Sequence, residues 1–264
     1  MSGVRITSEA VSDVGRKRKG NEDSLFLNEE QKLYVVADGM GGHAAGEVAS
    51  RVAVEAIAEF VALTGGNQEI TWPFGLDDSI SYEGNRLKTA VRHANSRVLE
   101  ATRESAEYEG MATTVAAVLV DGDVANLAHV GDSRIYLWSD GEIELLTRDH
   151  SWVNEQIENG AISPEQARSH PLRNVVTRAL GGRADLVVDI QSRRMAAGDM
   201  LLLCSDGLTT MIPDDDIARI LAEAEGDVTK AANALVGAAN ERGGEDNISV
   251  VVVMVDTADN KGDQ

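Results

Sequence analysis

Five aspartates in this chain stand where extended segments begin or end. Asp38 closes the apolar run Leu33-Tyr34-Val35-Val36-Ala37 and is followed by Gly39-Met40-Gly41-Gly42. Asp132 comes just after the run 124–130, and Asp206 just after Met200-Leu201-Leu202-Leu203-Cys204-Ser205. Asp23 and Asp246 precede the short runs 24–27 and 248–255. A single carboxylate beside a turn is usually a cap or turn residue. Five in equivalent places suggest more, because antiparallel neighbours bring strand starts and strand ends to one edge. Carboxylates gathered there repel one another unless some are protonated or cations neutralise them. Oxygen donors without a His or Cys cluster select hard ions, Mg²⁺ or Mn²⁺. Two such ions lower the pKa of a shared water and clamp a phosphoryl group for in-line attack. Arg18, five residues before Asp23, can face the same edge and grip phosphate with a bidentate fork. The combination points to hydrolysis of a phosphate ester.

The elements that must position these groups are legible as patterns. Apolar runs bounded by turn residues predict strands at 4–11, 24–27, 33–37, 112–120, 124–130, 134–138, 142–146, 186–191, 200–205 and 248–255. Asp121-Gly122 and Asp140-Gly141 mark hairpins, so 112–146 reads as a meander interrupted at Gly131-Asp132-Ser133. Glu47, Arg51, Glu55 and Glu59 recur every fourth residue opposite Val48, Val52, Ile57 and Phe60, which predicts a helix over 46–63. Further helices are expected within 79–109 and over 214–225 and 228–242. Residues 147–182 change character, with short helical pieces around His170-Pro171-Leu172-Arg173-Asn174. A long connection of this kind between strands often covers an active site. No linker or repeat divides the chain. One domain over 1–256, with a flap at about 147–182 and a polar tail at 257–264, is expected.

Composition removes several function classes. The chain has 264 residues, with 24 Lys+Arg against 44 Asp+Glu and a formal charge of −20. Nucleic acid and anionic membrane are disfavoured partners for so acidic a surface. Against that background Arg16-Lys17-Arg18-Lys19 is a basic loop between two glycines. The lone Cys204 permits no intrachain disulfide, which fits a reducing, cytoplasmic setting. Position 210 is Thr, so Cys204 does not open the Cys-x5-Arg loop of a cysteine-based phosphatase. Gly39-x-Gly41-x-x-Ala44 fits a dinucleotide fingerprint in letters only. Glu59, where a ribose-binding acid would stand, falls on the charged stripe of a helix, and no alternating βαβαβ pattern follows. Ser133 and Ser151 are read as turn residues, His93, His129 and His170 as structural or surface residues, and Trp72, Trp138 and Trp152 as packing.

In ordered set, the motifs resemble the metal-dependent protein phosphatases, the protein phosphatase 2C (PPM) family of serine/threonine phosphatases in its compact bacterial form. The set comprises Arg18 with Asn21-Glu22-Asp23, Asp38-Gly39-Met40-Gly41-Gly42-His43, Met111-Ala112-Thr113-Thr114 and Gly131-Asp132-Ser133-Arg134. It continues through Thr147-Arg148-Asp149-His150-Ser151, His170-Pro171-Leu172-Arg173-Asn174 with Thr177-Arg178-Ala179-Leu180-Gly181, Cys204-Ser205-Asp206-Gly207-Leu208 and Glu245-Asp246-Asn247. The resemblance implies an α+β fold, a four-layer α-β-β-α sandwich with two central antiparallel sheets and a flap subdomain. It implies two Mn²⁺ or Mg²⁺ ions. Asp38 would bridge them, the Gly39 carbonyl would serve one, and Asp206 and Asp246 would hold the other. Asp132 with Asp206 would form a weaker third site. Glu22, Asp23 and Asn247 would stand behind these ligands, and Arg18 would bind substrate phosphate.

The implied reaction is direct attack of a metal-bridged hydroxide on phosphoserine or phosphothreonine, by a cytoplasmic monomer that opposes a Ser/Thr kinase. Two positions depart from some relatives. Met40 stands where a His general acid is found, with His43 a weaker substitute, and Thr210 stands where a further Asp is found. The missing acid motivates a second expectation, a catalytically weak metal-binding sensing module on the same fold.

Overall fold

The computed structural model describes residues 5–41, 45–65 and 72–256. One antiparallel sheet holds β1 (Arg5–Asp13), β11 (Ile248–Asp256), β10 (Met200–Cys204), β7 (Arg134–Ser139) and β8 (Glu142–Leu145), in that order. The second holds β2 (Asp23–Asn28), β3 (Leu33–Met40), β5 (Val115–Asp121), β6 (Val124–Val130) and β9 (Asp189–Arg194), with β4 (Ala112–Thr113) paired to the end of β3. Tyr34, Val36, Val118 and Leu127 from the second sheet meet Ile135, Leu203, Val251 and Val253 from the first in a dry layer between them. The outer face of the second sheet is covered by α1 (Ala45–Thr64) and α2 (Tyr82–Glu104). The outer face of the first is covered by α6 (Asp214–Glu223) and α7 (Val228–Glu241). This is the four-layer α-β-β-α arrangement. It explains why β3, β10 and β11 read as unbroken apolar runs rather than alternating ones: both of their faces are buried.

Several local expectations change. The stretch 112–146 is not one meander, because β5 and β6 belong to one sheet while β7 and β8 belong to the other. Gly131-Asp132-Ser133 is the crossing between them, and Gly131 turns at φ +111° with its α-carbon against Thr114. Two hairpins and one crossing carry the same local signals as a four-strand meander, so sequence could not separate them. The run 112–120 is broken at Thr114, whose hydroxyl accepts the Asp38 N–H at 3.0 Å. The strand expected at 186–191 forms instead at Asp189–Arg194. Leu186 and Val188 are apolar because they fill the layer under α1 and α2. Between β8 and β9 lie α3 (Trp152–Glu158) and α4 (Pro164–Arg168), the latter opened by a Ser163/Gln166 capping box.

Candidate active site

The candidate edge is assembled from both sheets. Asp23 opens β2 and lies directly across the ladder from Asp38 of β3. Asp38 was expected just beyond a strand, but β3 runs on to Met40 because β4 pairs with Gly39 and Met40. Its backbone is fixed on both sides: the Asp38 carbonyl accepts the Thr114 N–H at 2.9 Å and the Thr113 hydroxyl at 2.9 Å. Asp206 opens α5 (Asp206–Thr209), a single turn that leaves β10 at Ser205. Asp246 lies two residues before β11. Asp132 occupies the crossing between the sheets.

Close backbone approach at two glycines draws these segments together. A β-carbon on Gly39 would lie 2.0 Å from the Gly46 carbonyl oxygen and 2.6 Å from that of Glu22. One on Gly207 would lie 2.0 Å from the Asn247 carbonyl oxygen. Ser205 then ties the two sheets at the same edge, donating its hydroxyl proton to Asp23 Oδ2 at 2.8 Å.

The electrostatics follow from this crowding. Burial pushes the Asp38 carboxyl well above the carboxylate range, and the neighbouring Asp23, Asp206, Asp132 and Asp246 push it further. Burial likewise raises Asp23 to about 7, against the nearby hydroxyls of Ser249 and Ser205 that lower it. Asp132 rises to about 7 through burial and then Asp206, and Asp206 to about 6 through burial and then Asp246. Two cations oppose them, Arg18 on the Asp206 and Asp246 side and Arg134 on the Asp132 and Asp206 side. Arg18 Nη2 donates to Asp246 Oδ2 at 2.6 Å from a half-exposed position.

Glu22 sits behind Gly39, its carboxyl against the α-carbon of Gly46 and its carbonyl accepting the Gly39 N–H at 3.1 Å. Asn247 turns its amide away from the cleft. It accepts from Glu22 N–H at 2.8 Å and donates to the Val14 and Gly20 carbonyls at 3.0 and 2.9 Å. His43 and Gly42 lie outside the described residues. From this edge a cleft of about 870 Å³ runs between the α3–α4 segment and the start of α6, lined by Asp132, Asp206, Thr210, Arg168, Arg173 and Asp214.

The protein phosphatase 2C model matches residues 16–238. The chain belongs to the protein phosphatase 2C family. It is 39% identical over 246 residues to the serine/threonine protein phosphatase PstP of Mycobacterium tuberculosis, covering 93% of this chain and 44% of that one, so it spans less than half the length of PstP. It is 36% identical over 253 residues to the serine/threonine phosphatase stp of Listeria welshimeri, covering 93% and 94% of the two chains. Among solved structures it superposes on the PstP catalytic domain in complex with two manganese ions, with a TM-score of 0.81 and 36% identity over 96% of this chain and 99% of that one.

For a protein phosphatase 2C chain, the fit of divalent ions can be judged on this chain's own atoms. Asp23 Oδ1 and Asp206 Oδ1 are buried without a hydrogen-bond partner, a costly condition for a carboxylate unless something electropositive approaches it. The donors are all oxygens, as a hard ion requires. The residues fit the group.

A different trio, His129, His150 and Asp189, brings its ligand atoms within 4.8 Å of one another, the one such group among the described residues. Two of its members are bonded otherwise, whereas both ring nitrogens of His129 are buried without a hydrogen-bond partner. The Gly131 N–H donates to His150 Nδ1 at 3.0 Å, so the ring proton sits on Nε2 and is donated to Asp189 Oδ2 at 3.0 Å. These bonds brace the crossing that carries Asp132. Arg134, part of the Gly131-Asp132-Ser133-Arg134 motif, makes the second brace, a fork onto Asp149 at 2.9 and 2.7 Å that fastens β7 to the segment before α3. Nothing in one sequence announces such a pairing across 15 residues.

Proposed function

We propose that the chain is a metal-dependent protein serine/threonine phosphatase that hydrolyses phosphoserine and phosphothreonine by direct attack of water, without a phosphoenzyme. The observation that carries this reading is the meeting of Asp23, Asp38, Asp132, Asp206 and Asp246 at one edge, with burial and mutual repulsion raising the pKa of Asp38. Asp38, the Gly39 carbonyl, Asp206 and Asp246 would hold two Mn²⁺ or Mg²⁺ ions, and Asp132 with Asp206 a third. When bound, the ions offset the carboxylate charge, acidify the attacking water and draw charge from the phosphoryl oxygens.

The chain's own residues do the rest. Thr113 and Thr114 lock the Asp38 backbone, so its carboxylate is presented in one orientation. Asp23 Oδ1 offers a free acceptor to a water, and Glu22 backs it from beside Gly39. Arg18, oriented by Asp246, offers its remaining N–H groups to non-bridging phosphate oxygens. Met40 cannot supply a proton to the departing alcohol, so that proton comes from water in the cleft.

Residues 1–256 are proposed to act as one catalytic domain with the flap at about 147–182, as a monomer, on phosphorylated proteins produced by a cognate Ser/Thr kinase. A cytoplasmic setting is proposed because the sequence's single cysteine, Cys204, permits no intrachain disulfide. No helix among the described residues is long and apolar enough to cross a membrane.

The test is hydrolysis of a phosphothreonine peptide with Mn²⁺. EDTA and Asp38→Asn are each expected to lower kcat by at least about a hundredfold, the scale of removing an electrostatic stabiliser of the transition state. Metal binding without turnover would instead favour the sensing module, and a phosphoryl group trapped on a side chain would refute direct attack.

A further inference from the structure

We propose that Arg16-Lys17-Arg18-Lys19 is a recognition site for anionic side chains flanking the phosphoresidue of a protein substrate, with Lys17 and Lys19 as its reading groups. The proposal rests on the phosphatase reading and deepens it by naming a substrate class. In the whole chain this is the one run of more than two consecutive cations. The only other neighbouring arginines in sequence, Arg193 and Arg194, are each neutralised, by Glu144 at 2.6 Å and Asp123 at 3.3 Å. In the basic loop only Arg18 turns inward to an acid. Among the described residues Arg16, Lys17 and Lys19 make no ion pair, although acids outnumber bases by 44 to 24 in the sequence.

The loop is also held in place. The Arg16 and Lys17 N–H groups both donate to the Gly244 carbonyl, at 2.7 and 3.2 Å. The Asn247 amide draws the two ends together through Val14 and Gly20. Gly15 turns at φ +79° with its α-carbon against the Asp246 carbonyl, where a β-carbon would lie 2.2 Å from that oxygen. Asn247 and Asp246 therefore fix the basic loop and the acidic cleft as one rigid unit.

Charge complementarity then selects the ligand. A chain of −20 repels a phosphopeptide, and more so one carrying acidic neighbours or a second phosphate. Exposed cations beside Arg18 reverse that repulsion locally, within a Debye length of about 8 Å at physiological salt. Lys17 and Lys19 adjoin Arg18, and consecutive α-carbons are about 3.8 Å apart. Anionic groups within about one to three residues of the phosphoresidue are thus in reach, at about 3.3 Å per residue of extended peptide.

The experiment compares three phosphothreonine peptides of one sequence: neutral flanks, Glu flanks, and a second phosphothreonine two positions away. Native chain and the Lys17→Gln/Lys19→Gln variant are assayed with Mn²⁺, alongside p-nitrophenyl phosphate. Non-hydrolysable phosphonate versions give Kd by fluorescence anisotropy. The native chain is expected to favour both anionic peptides over the neutral one by about tenfold in kcat/KM, carried by KM and matched in Kd, equivalent to about 1.4 kcal/mol. The variant should lose that preference and keep p-nitrophenyl phosphate turnover, and 0.5 M NaCl should erase it in the native chain. Preference for the doubly phosphorylated peptide alone narrows the ligand to a second phosphate; preference for both assigns any anionic flank. A flat native preference, or equal loss on all substrates in the variant, overturns the proposal while the phosphatase reading stands. No turnover of p-nitrophenyl phosphate by the metal-loaded native chain overturns the phosphatase reading itself.

Discussion

Asp206 shows most directly what the cleft costs the fold. Its carboxyl is raised from 3.8 to about 6 by burial and by Asp246, and one of its oxygens has no hydrogen-bond partner. A carboxyl with a raised folded pKa stabilises the fold fully below its unfolded value, and that contribution is lost as pH rises through the folded value. The metal-free chain should therefore lose stability between about pH 4 and pH 6 on account of this group, by on the order of 3 kcal/mol. Asp206→Asn carries no such charge. It is expected to melt above the native chain at pH 7.5 when both are metal-free, and to converge with it at pH 4. The same variant should lose most of the Mn²⁺-induced rise in Tm, so the order of the two proteins reverses when metal is added. Thermal denaturation at the two pH values, with EDTA and with Mn²⁺, checks all three statements. A variant no more stable than the native chain at pH 7.5 in EDTA would show that Asp206 is not under charge stress.

At the scale of elements, the turns bring the acids together. Gly207 lets α5 start against the strand-preceding loop at Asp246-Asn247, and no larger residue fits there. Gly207→Ala is expected to destabilise the chain by about 2–4 kcal/mol and to weaken Mn²⁺ binding at least about tenfold, since Asp206 and Asp246 must move apart. Calorimetric titration with unfolding in urea measures both, and unchanged Mn²⁺ affinity would mean that the close approach does not set the site. The sequence disclosed Asp-Gly after an apolar run at 38–39 and 206–207, which was enough to locate the carboxylates. It did not disclose why the glycines are needed, because the atoms they admit belong to other segments, Gly46 of α1 for Gly39 and Asn247 before β11 for Gly207. The same limit accounts for β6 and β7. Alternation and turn residues mark each strand, but which sheet a strand joins depends on Gly131 and Thr114 meeting across 17 residues. It accounts for β9 as well, where Leu186 and Val188 are apolar because helices cover them rather than because they are paired.

At the scale of the whole molecule, the acids are divided between the layers. Asp23 and Asp38 come from one sheet, whereas Asp206 and Asp246 flank strands of the other. Between the sheets the contact is apolar, through Tyr34, Leu127, Leu203 and Val251, and it is non-directional. At the edge that gathers the acids it changes to polar ties, Ser205 to Asp23 and Asn247 to Glu22. Ions held by acids of both sheets would act as cross-links confined to that edge, and by mass action they stabilise the native state by about 2.7 kcal/mol at a hundred times their Kd. Among the described residues, acids near the opposite edge, at the hairpin turns Asp121-Gly122 and Asp140-Gly141, include ones paired with arginines, Glu144 with Arg193 and Asp123 with Arg194. Chelation should therefore act asymmetrically. Amide exchange is expected to accelerate at least about tenfold around 22–24, 38–40, 205–208 and 246–249 when Mn²⁺ is removed, while β5 and β6 near 119–126 stay protected. Hydrogen exchange with mass spectrometry resolves these segments. Uniform acceleration across both edges would mean that the ions stabilise the molecule globally, and no acceleration at 22–24 together with 205–208 would mean that they do not join the sheets.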